Sequence, residues 1–138
     1  MAGFPAPKEG IAITHFIVAR DVARSRRFYV DVLGGEAVLE GETTIVALAN
    51  GWITISTGGG PTEDKPNVTL EPPDAPDRVS GFLNIRVADI AAMYRLWRAR
   101  GATFLTPPID RGHEIRCYMR DPDGHLIEVG QLVGRLQD

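Results

Sequence analysis

The sequence predicts an α+β fold in which two βαβββ modules form a curved mixed β-sheet cup with the helices on its outside. The first observation is a β-rich apolar run followed by apolar residues at helical spacing, which occurs at residues 11–33 and again at residues 82–97. The second is a repeated spacing from a capping aspartate to a glycine, thirteen positions from Asp21 to Gly34 and twelve from Asp89 to Gly101. Together these observations indicate an internal repeat.

Module one is predicted to cover about residues 11–57. Asp21 is a good N-cap, because its side chain offers an acceptor to the free amides of the first helical turn. Gly34 ends the helix, since a residue without a Cβ tolerates a positive φ. Three short strands follow, at residues 36–40, 43–49 and 52–57. The dipeptide Asn50-Gly51 predicts a two-residue hairpin between the last two strands.

Module two is predicted to cover about residues 81–132 and repeats this order, with a strand at residues 82–87 and a helix that follows Asp89. Its remaining strands are predicted at residues 103–105, 113–120 and 125–131. The sequence Asp121-Pro122-Asp123-Gly124 predicts the turn between the last two. Residues 58–80 hold three consecutive glycines and five of the ten prolines, which predicts a linker within a single domain of 138 residues.

Composition excludes several classes of protein. The apolar fraction of 43% and the charged fraction of 24% are those of a globular chain. A net charge of -3 with both signs interspersed argues against nucleic acid as a partner. No apolar run approaches the roughly 20 residues of a membrane span, so no membrane partner is predicted. Cys117 has no second cysteine to pair with, which favours a cytoplasmic location, and its alternating surroundings predict core packing rather than a nucleophile.

Alternation along two strands of module two predicts a polar face lining the cup, because successive strand residues point to opposite sides. The side chains predicted on it are Phe82, Asn84, Arg86, Glu114, Arg116, Tyr118, Arg120 and Glu128. Guanidinium groups offer paired planar donors, so this face suits a carboxylate or enediolate oxygen of a small molecule. The alternative is an internal network of arginine–glutamate ion pairs. Trp52 and Phe16 are predicted to form an aromatic wall for a flat ligand, or else to belong to the core.

Two segments resemble the vicinal oxygen chelate superfamily of glyoxalases, bleomycin resistance proteins and extradiol dioxygenases. Asp21-Val22 with Ser25, Phe28-Tyr29 and Leu33-Gly34 resembles the first strand–helix unit of these proteins. Asp121-Pro122-Asp123-Gly124-His125-Leu126-Ile127-Glu128 resembles their last hairpin. The resemblance implies a cupped site for a small molecule, one divalent metal ion (Fe, Ni, Zn or Mn), and a homodimer.

The resemblance implies His15 and Glu128 as metal ligands. Glu128 falls on the carboxylate position after the last hairpin, and a carboxylate is a suitable hard ligand. The family histidine stands seven residues before the capping aspartate, whereas His15 stands six before Asp21, and strict counting gives Thr14. A shift by one residue turns His15 toward the helix unless a bulge restores the register. The other two ligand positions fall on Phe82 or Leu83 and near Ile55, which bind no metal.

Two functions follow from this resemblance. The first is a lyase or isomerase similar to lactoylglutathione lyase, with Glu128 as the catalytic residue and possible metal dependence. The alternative is a non-catalytic resistance protein that binds a small molecule such as an antibiotic. The incomplete metal-ligand set favours the second, and the retained Glu128 favours the first. The ligand-binding residues predicted for either function are Phe82, Asn84, Arg86, Arg116, Tyr118 and Trp52.

Overall fold

The computed structural model describes residues 3–134. The chain divides into two compact units on either side of Asp74 and Ala75, and this boundary falls inside residues 58–80, where a linker is predicted. Each unit contains one mixed β-sheet and one helix. The predicted α+β fold class is therefore confirmed. No helix within residues 3–134 is long and apolar enough to cross a membrane.

Unit one contains a four-stranded sheet. Its elements are β1 (Thr14–Val18), α1 (Val22–Arg27) continued by a π-helical turn (Phe28–Val32), β2 (Glu36–Leu39), β3 (Thr44–Leu48) and β4 (Gly51–Ser56). The strand order is β1-β4-β3-β2. The first and last strands run parallel, whereas the other neighbours are antiparallel.

Unit two repeats this arrangement. Its elements are β5 (Leu83–Arg86), α2 (Ile90–Ala99), β6 (Thr103–Phe104), β7 (Ile109–Asp110), β8 (Glu114–Arg120) and β9 (Leu126–Leu132). The strand order is β5-β9-β8-β6, and β7 also pairs with β8. The strand preceding the helix again runs parallel to the last strand of its unit. The internal repeat is thus present in the topology as well as in the sequence.

Both helices begin at the predicted aspartates. Asp21 Oδ1 accepts a hydrogen bond from the Arg24 amide at 3.0 Å, and Asp89 Oδ1 accepts one from the Ala92 amide at 3.0 Å. The first helix differs from the prediction in its second half, where it widens into a π-helical turn. The Leu33 amide there donates to the Phe28 carbonyl five residues earlier, at 3.2 Å. Gly34 then ends the helix with a φ of 87°.

The β3–β4 hairpin turns one residue earlier than the sequence predicts. Leu48 pairs with Gly51, so the two-residue loop is Ala49-Asn50 and Gly51 already belongs to β4. Ala49 consequently has a φ of 52°, a conformation that a residue with a Cβ adopts at a cost. The observed register places Val46 opposite Ile53 and Thr44 opposite Ile55, so buried side chains of the two strands lie directly across from each other.

The core of each unit lies between its sheet and its helix. In unit one, the sheet contributes Ile17, Val46, Ile53 and Ile55 to this layer, and the helix contributes Tyr29. In unit two, the layer contains Ile90, Trp97, Cys117, Met119, Ile127 and Val129. Each such side chain stabilises the fold by roughly 1.5–3 kcal/mol through its transfer from water. The second face of the unit-two sheet is not used for this core and carries the polar residues.

Candidate functional site

The polar face of unit two consists of Phe82, Asn84, Arg86, Glu114, Arg116, Tyr118 and Glu128. Strand alternation separates these residues from the core, since Leu83, Ile85 and Cys117 point to the helix side. The register brings Asn84 of β5 opposite Glu128 of β9, and Glu128 opposite Tyr118 of β8. Three residues that are far apart in sequence therefore form one row across the sheet.

Glu128 is the centre of this row. Asn84 Nδ2 donates to Glu128 Oε1 at 2.5 Å, and the Tyr118 hydroxyl donates to Glu128 Oε2 at 2.5 Å. Both carboxylate oxygens thus accept hydrogen bonds from neutral groups. The hydrogen bond to Glu128 raises the pKa of Tyr118 above its ordinary value of 10.0, and burial and the Glu128 charge add to this effect. Tyr118 is consequently a neutral donor.

A second carboxylate, Glu114, lies between two arginines. Its Oε2 is 3.3 Å from Arg86 Nη1, and its Oε1 is 3.4 Å from Arg116 Nη1. Arg86 Nη1 also lies 3.9 Å from Glu128 Oε1. The glutamate side chains are only 12% and 9% exposed, whereas those of Arg86 and Arg116 are 45% and 37% exposed. The two acids therefore lie beneath the guanidinium groups, which form the outer surface.

Gly130 provides the space for this arrangement. It pairs with Arg86 on one side and with Arg116 on the other. A Cβ at this position would lie 2.2 Å from Arg86 Nη1, so the guanidinium passes directly over the glycine on its way to Glu114. An open depression of about 450 Å³ lies beside it, lined by Arg86, Val87, Ala88, Gly130, Gln131 and Leu132.

Apolar side chains border the polar face. The rings of Phe82 and Tyr118 meet edge to face, with 5.9 Å between their centroids and 75° between their planes. Phe82 is 42% exposed, so part of its ring is available to a ligand. Leu132, which pairs with Glu114, and Ile109, which pairs with Arg116, are exposed on the same side of the sheet. Charged donors and apolar surface thus lie next to each other.

The predicted site residues of unit one have different surroundings. Trp52 pairs with Thr14, and its indole Nε1 donates to the Gly3 carbonyl at 2.7 Å. His15 pairs with Ile53, which in turn pairs with the fully buried Val46. The β1–β4 register runs from Thr14 to Val18 without a bulge. Thr14 and not His15 therefore shares a face with Trp52, and His15 points to the helix side of the sheet.

The donors present do not fit the divalent metal ion that the resemblance implies. Both oxygens of Glu128 already accept hydrogen bonds, and His15 lies on the core side of its own sheet. Within residues 3–134, no three His, Cys, Asp or Glu side chains lie close enough together to hold one ion. A stable catalytic metal site generally needs about three protein ligands. No step of chemistry is therefore assigned to a metal.

Strand alternation is the signal that predicted Glu114 on the polar face, although neither Glu114 nor Gly130 was predicted to bind the ligand. Gly130 gives no such signal, because its importance comes from the Arg86 side chain that crosses it from another strand. In contrast, the sheet brings together five of the predicted site residues, Asn84, Arg86, Arg116, Tyr118 and Glu128.

Comparison with known proteins identifies relatives of the whole chain. The sequence model of the Glyoxalase/Bleomycin resistance protein/Dioxygenase superfamily matches residues 12–129. TioX from Micromonospora sp. ML1 has 19% identity and a TM-score of 0.70, over 90% of this chain and 100% of that one. The fosfomycin resistance protein FosX from Mesorhizobium loti has 22% identity and a TM-score of 0.60, over 94% and 95%. TnmS3, an antibiotic binding protein from Streptomyces sp. CB03234, has 17% identity and a TM-score of 0.65, over 92% and 99%.

At these identities the solved structures show a shared fold. A search of curated protein sequences found no match. The residues of the polar face are therefore the basis for assigning a function.

Proposed function

Because the chain belongs to the Glyoxalase/Bleomycin resistance protein/Dioxygenase superfamily, we propose that it is a small-molecule-binding protein whose ligand lies on the polar face of unit two. The observation that carries this proposal is the layering of that face. Exposed guanidinium groups lie above carboxylates that are mostly buried, and an exposed aromatic ring lies beside them. Such a surface offers hydrogen-bond donors and apolar contact together, as small-molecule sites do.

The ligand class follows from the groups that are available. Phe82, with the edge of Tyr118 behind it, supplies a flat apolar surface on which an aromatic ring packs. Arg86 and Arg116 supply N–H donors for oxygen acceptors. The proposed ligand is therefore a small aromatic molecule with polar oxygens, and sequestration of an antibiotic is a function of this kind. FosX is a fosfomycin resistance protein, and TnmS3 is an antibiotic binding protein.

The test uses N-phenyl-1-naphthylamine, a neutral aromatic probe whose fluorescence rises in apolar surroundings. We expect Phe82→Ala to weaken its binding roughly 5- to 20-fold, because a ring contact of about 1–2 kcal/mol is lost. Leu96→Ala is the matched control, since Leu96 is 39% exposed and lies on α2. Equal affinities of the wild type and of both variants would refute the proposed site.

A lyase or isomerase similar to lactoylglutathione lyase is the second candidate. The buried Glu128 carboxylate, with the Tyr118 hydroxyl beside it, favours this candidate. The binding function is preferred because both Glu128 oxygens are already engaged as acceptors. Elemental analysis and thermal-shift scans with nickel, zinc, manganese and iron(II) separate the two. A metal that raises the melting temperature of the wild type but not of Glu128→Ala would favour the lyase.

Three further predictions from the sequence belong to this proposal. Trp52 is proposed as a ligand-binding aromatic residue of unit one, and Trp52→Phe is the variant that tests it. A homodimer is proposed, and a monomer mass in light scattering at micromolar concentration would refute it. A cytoplasmic location is supported by the absence of a second cysteine that could pair with Cys117.

A further inference from the structure

We propose that Glu114 is an internal counter-ion of the polar face, which occupies Arg86 and Arg116 until an oxyanion of the ligand displaces it. This proposal rests on the proposed function and deepens it. It assigns the ligand a chemical class, an aromatic molecule with a carboxylate, sulfonate or similar oxyanion. It also gives Glu114 a role in specificity, because a neutral ligand has no charge with which to compete.

Glu114 is held by two long ion pairs. Each of its carboxylate oxygens faces one guanidinium, at 3.3 Å for Arg86 and 3.4 Å for Arg116. These distances are long for an ionised pair, which typically has about 2.7–2.9 Å between nitrogen and oxygen. The Asn84 and Tyr118 bonds to Glu128 are both 2.5 Å. Of the two carboxylates, Glu114 is thus the one with the longer contacts.

Arg86 and Arg116 also have N–H donors that their contacts with Glu114 and Glu128 do not use. The hydrogen bonds and ion pairs of Arg86 and Arg116 within residues 3–134 use Nη1 alone. Nε and Nη2 of both groups can therefore receive an incoming oxyanion before Glu114 leaves Nη1, and a guanidinium binds an oxyanion best through two parallel N–H groups. Both side chains are more than a third exposed, so a ligand reaches them from solvent.

Space for an oxyanion lies between Arg86 and Arg116. Arg86 of β5 and Arg116 of β8 pair with Gly130 from its two sides, and Gly130 has no side chain to separate them. Phe82 precedes β5 and lies beyond the row of Asn84, Glu128 and Tyr118, where its ring contacts that of Tyr118. One small molecule can therefore place a ring on Phe82 and an oxyanion at the arginines.

The experiment compares two probes that differ only in their charge. One is 8-anilinonaphthalene-1-sulfonate, and the other is N-phenyl-1-naphthylamine, which has the same rings without the sulfonate. Their dissociation constants are measured by fluorescence for the wild type, Glu114→Gln and Arg86→Gln. The matched controls are Glu63→Gln and Arg95→Gln, which make the same charge changes at exposed positions outside the polar face.

We expect Glu114→Gln to bind the sulfonate about fivefold more tightly, because the ion pairs of Glu114 with Arg86 and Arg116 no longer have to be given up. Arg86→Gln should bind it about fivefold more weakly, because one of the two guanidinium partners of the sulfonate is lost. The neutral probe should bind Glu114→Gln and the two control variants within about twofold of the wild type. Sulfonate affinity that is unchanged or lower in Glu114→Gln would overturn the proposal, as would equal changes for both probes.

A second measurement does not depend on whether the variants fold. In the wild type, saturating sulfonate should shift the Nε–H NMR signals of Arg86 and Arg116 and leave that of Arg95 in place. Unmoved signals at saturation would overturn the anion subsite. The proposed function and the counter-ion role can fail separately. If Phe82→Ala binds the neutral probe as tightly as the wild type does, the proposed function is refuted. If Phe82→Ala weakens the neutral probe as expected but Glu114→Gln leaves sulfonate binding unchanged, only the counter-ion role is refuted.

Discussion

Removal of one hydroxyl from the polar face tests how strongly the Glu128 row stabilises unit two. Tyr118→Phe deletes the donor that lies 2.5 Å from Glu128 Oε2 and leaves the ring in place against Phe82. Glu128 is only 7% exposed, so water replaces the lost donor poorly. The variant therefore leaves a largely buried carboxylate with one fewer hydrogen bond.

The expected cost follows from the type of bond. A hydrogen bond to a charged group contributes about 1.5–3 kcal/mol to stability. Tyr118 is itself only half-buried, so the lower end of that range applies, and we expect a loss of about 1.5 kcal/mol in the free energy of unfolding. For a chain of this length, such a loss lowers the melting temperature by roughly 5 °C.

The assay is urea unfolding followed by the fluorescence of Trp97, which is buried in unit two. A Trp52→Phe background removes the other tryptophan of the chain. Tyr94→Phe is the matched control, because its hydroxyl only accepts an exposed hydrogen bond from Arg98 at 3.3 Å. We expect the control to lose less than about 0.5 kcal/mol.

A double-mutant cycle identifies the cause of the loss. In a Glu128→Gln background the acceptor is neutral, so removal of the Tyr118 hydroxyl should cost only about 0.5–1 kcal/mol. A Tyr118→Phe loss no larger than that of Tyr94→Phe would refute the reasoning. An undiminished loss in the Glu128→Gln background would show that the carboxylate charge is not what the hydroxyl stabilises.

Four further predictions concern individual residues. Burial raises the pKa of the Cys117 thiol to about 11, so at pH 8 only about a thousandth of the thiol is thiolate. Ellman's reagent should therefore label the native protein far more slowly than the urea-unfolded chain, and equal labelling rates would contradict this prediction. Ala49→Gly should raise stability by about 0.5–1 kcal/mol in urea unfolding, because glycine adopts the positive φ of this turn without strain, and a destabilised variant would show that the hairpin turns elsewhere. Gly130→Ala should change the free energy of unfolding by less than about 1 kcal/mol, because the added methyl meets the flexible end of Arg86. The variant should nevertheless weaken sulfonate binding as Arg86→Gln does. Unaltered sulfonate binding would show that Arg86 does not need this space. The raised pKa of Tyr118 favours its neutral form in the folded state, so its contribution to stability is present below about pH 10 and is lost at higher pH. The fall in the free energy of unfolding between about pH 9 and 11 should therefore be smaller in Tyr118→Phe than in the wild type. Equal falls would contradict a raised pKa of Tyr118.

The strand–helix order and the two faces of the unit-two strands follow from the sequence because both are local properties. Asp21 and Asp89 begin their helices wherever the chain goes next, since an N-cap needs only its own first turn. Alternation likewise separates Asn84 and Arg86 from Leu83 and Ile85 within one strand. The predicted polar face depends on nothing beyond this two-residue period and the order of the strands.

Where pairing between strands decides the outcome, the sequence was not sufficient. Asn50-Gly51 has the stronger turn chemistry, but β3 and β4 pair so that the loop is Ala49-Asn50. β7 is only two residues long and owes its existence to pairing with β8, so no periodicity announces it. The helix that begins at Val22 also widens into a π-helical turn, which apolar spacing does not distinguish from an α-helix.

The chain thus determines by itself the fold class, the cap residues and the types of group on the polar face, because each depends on neighbours within a few positions. Only the tertiary structure decides that Glu128 is bound by Asn84 and Tyr118, and that Glu114 lies beneath two arginines. It also decides that His15 points to the core side of its sheet. These contacts join residues up to 44 positions apart, and their geometry depends on strand register rather than on local preference.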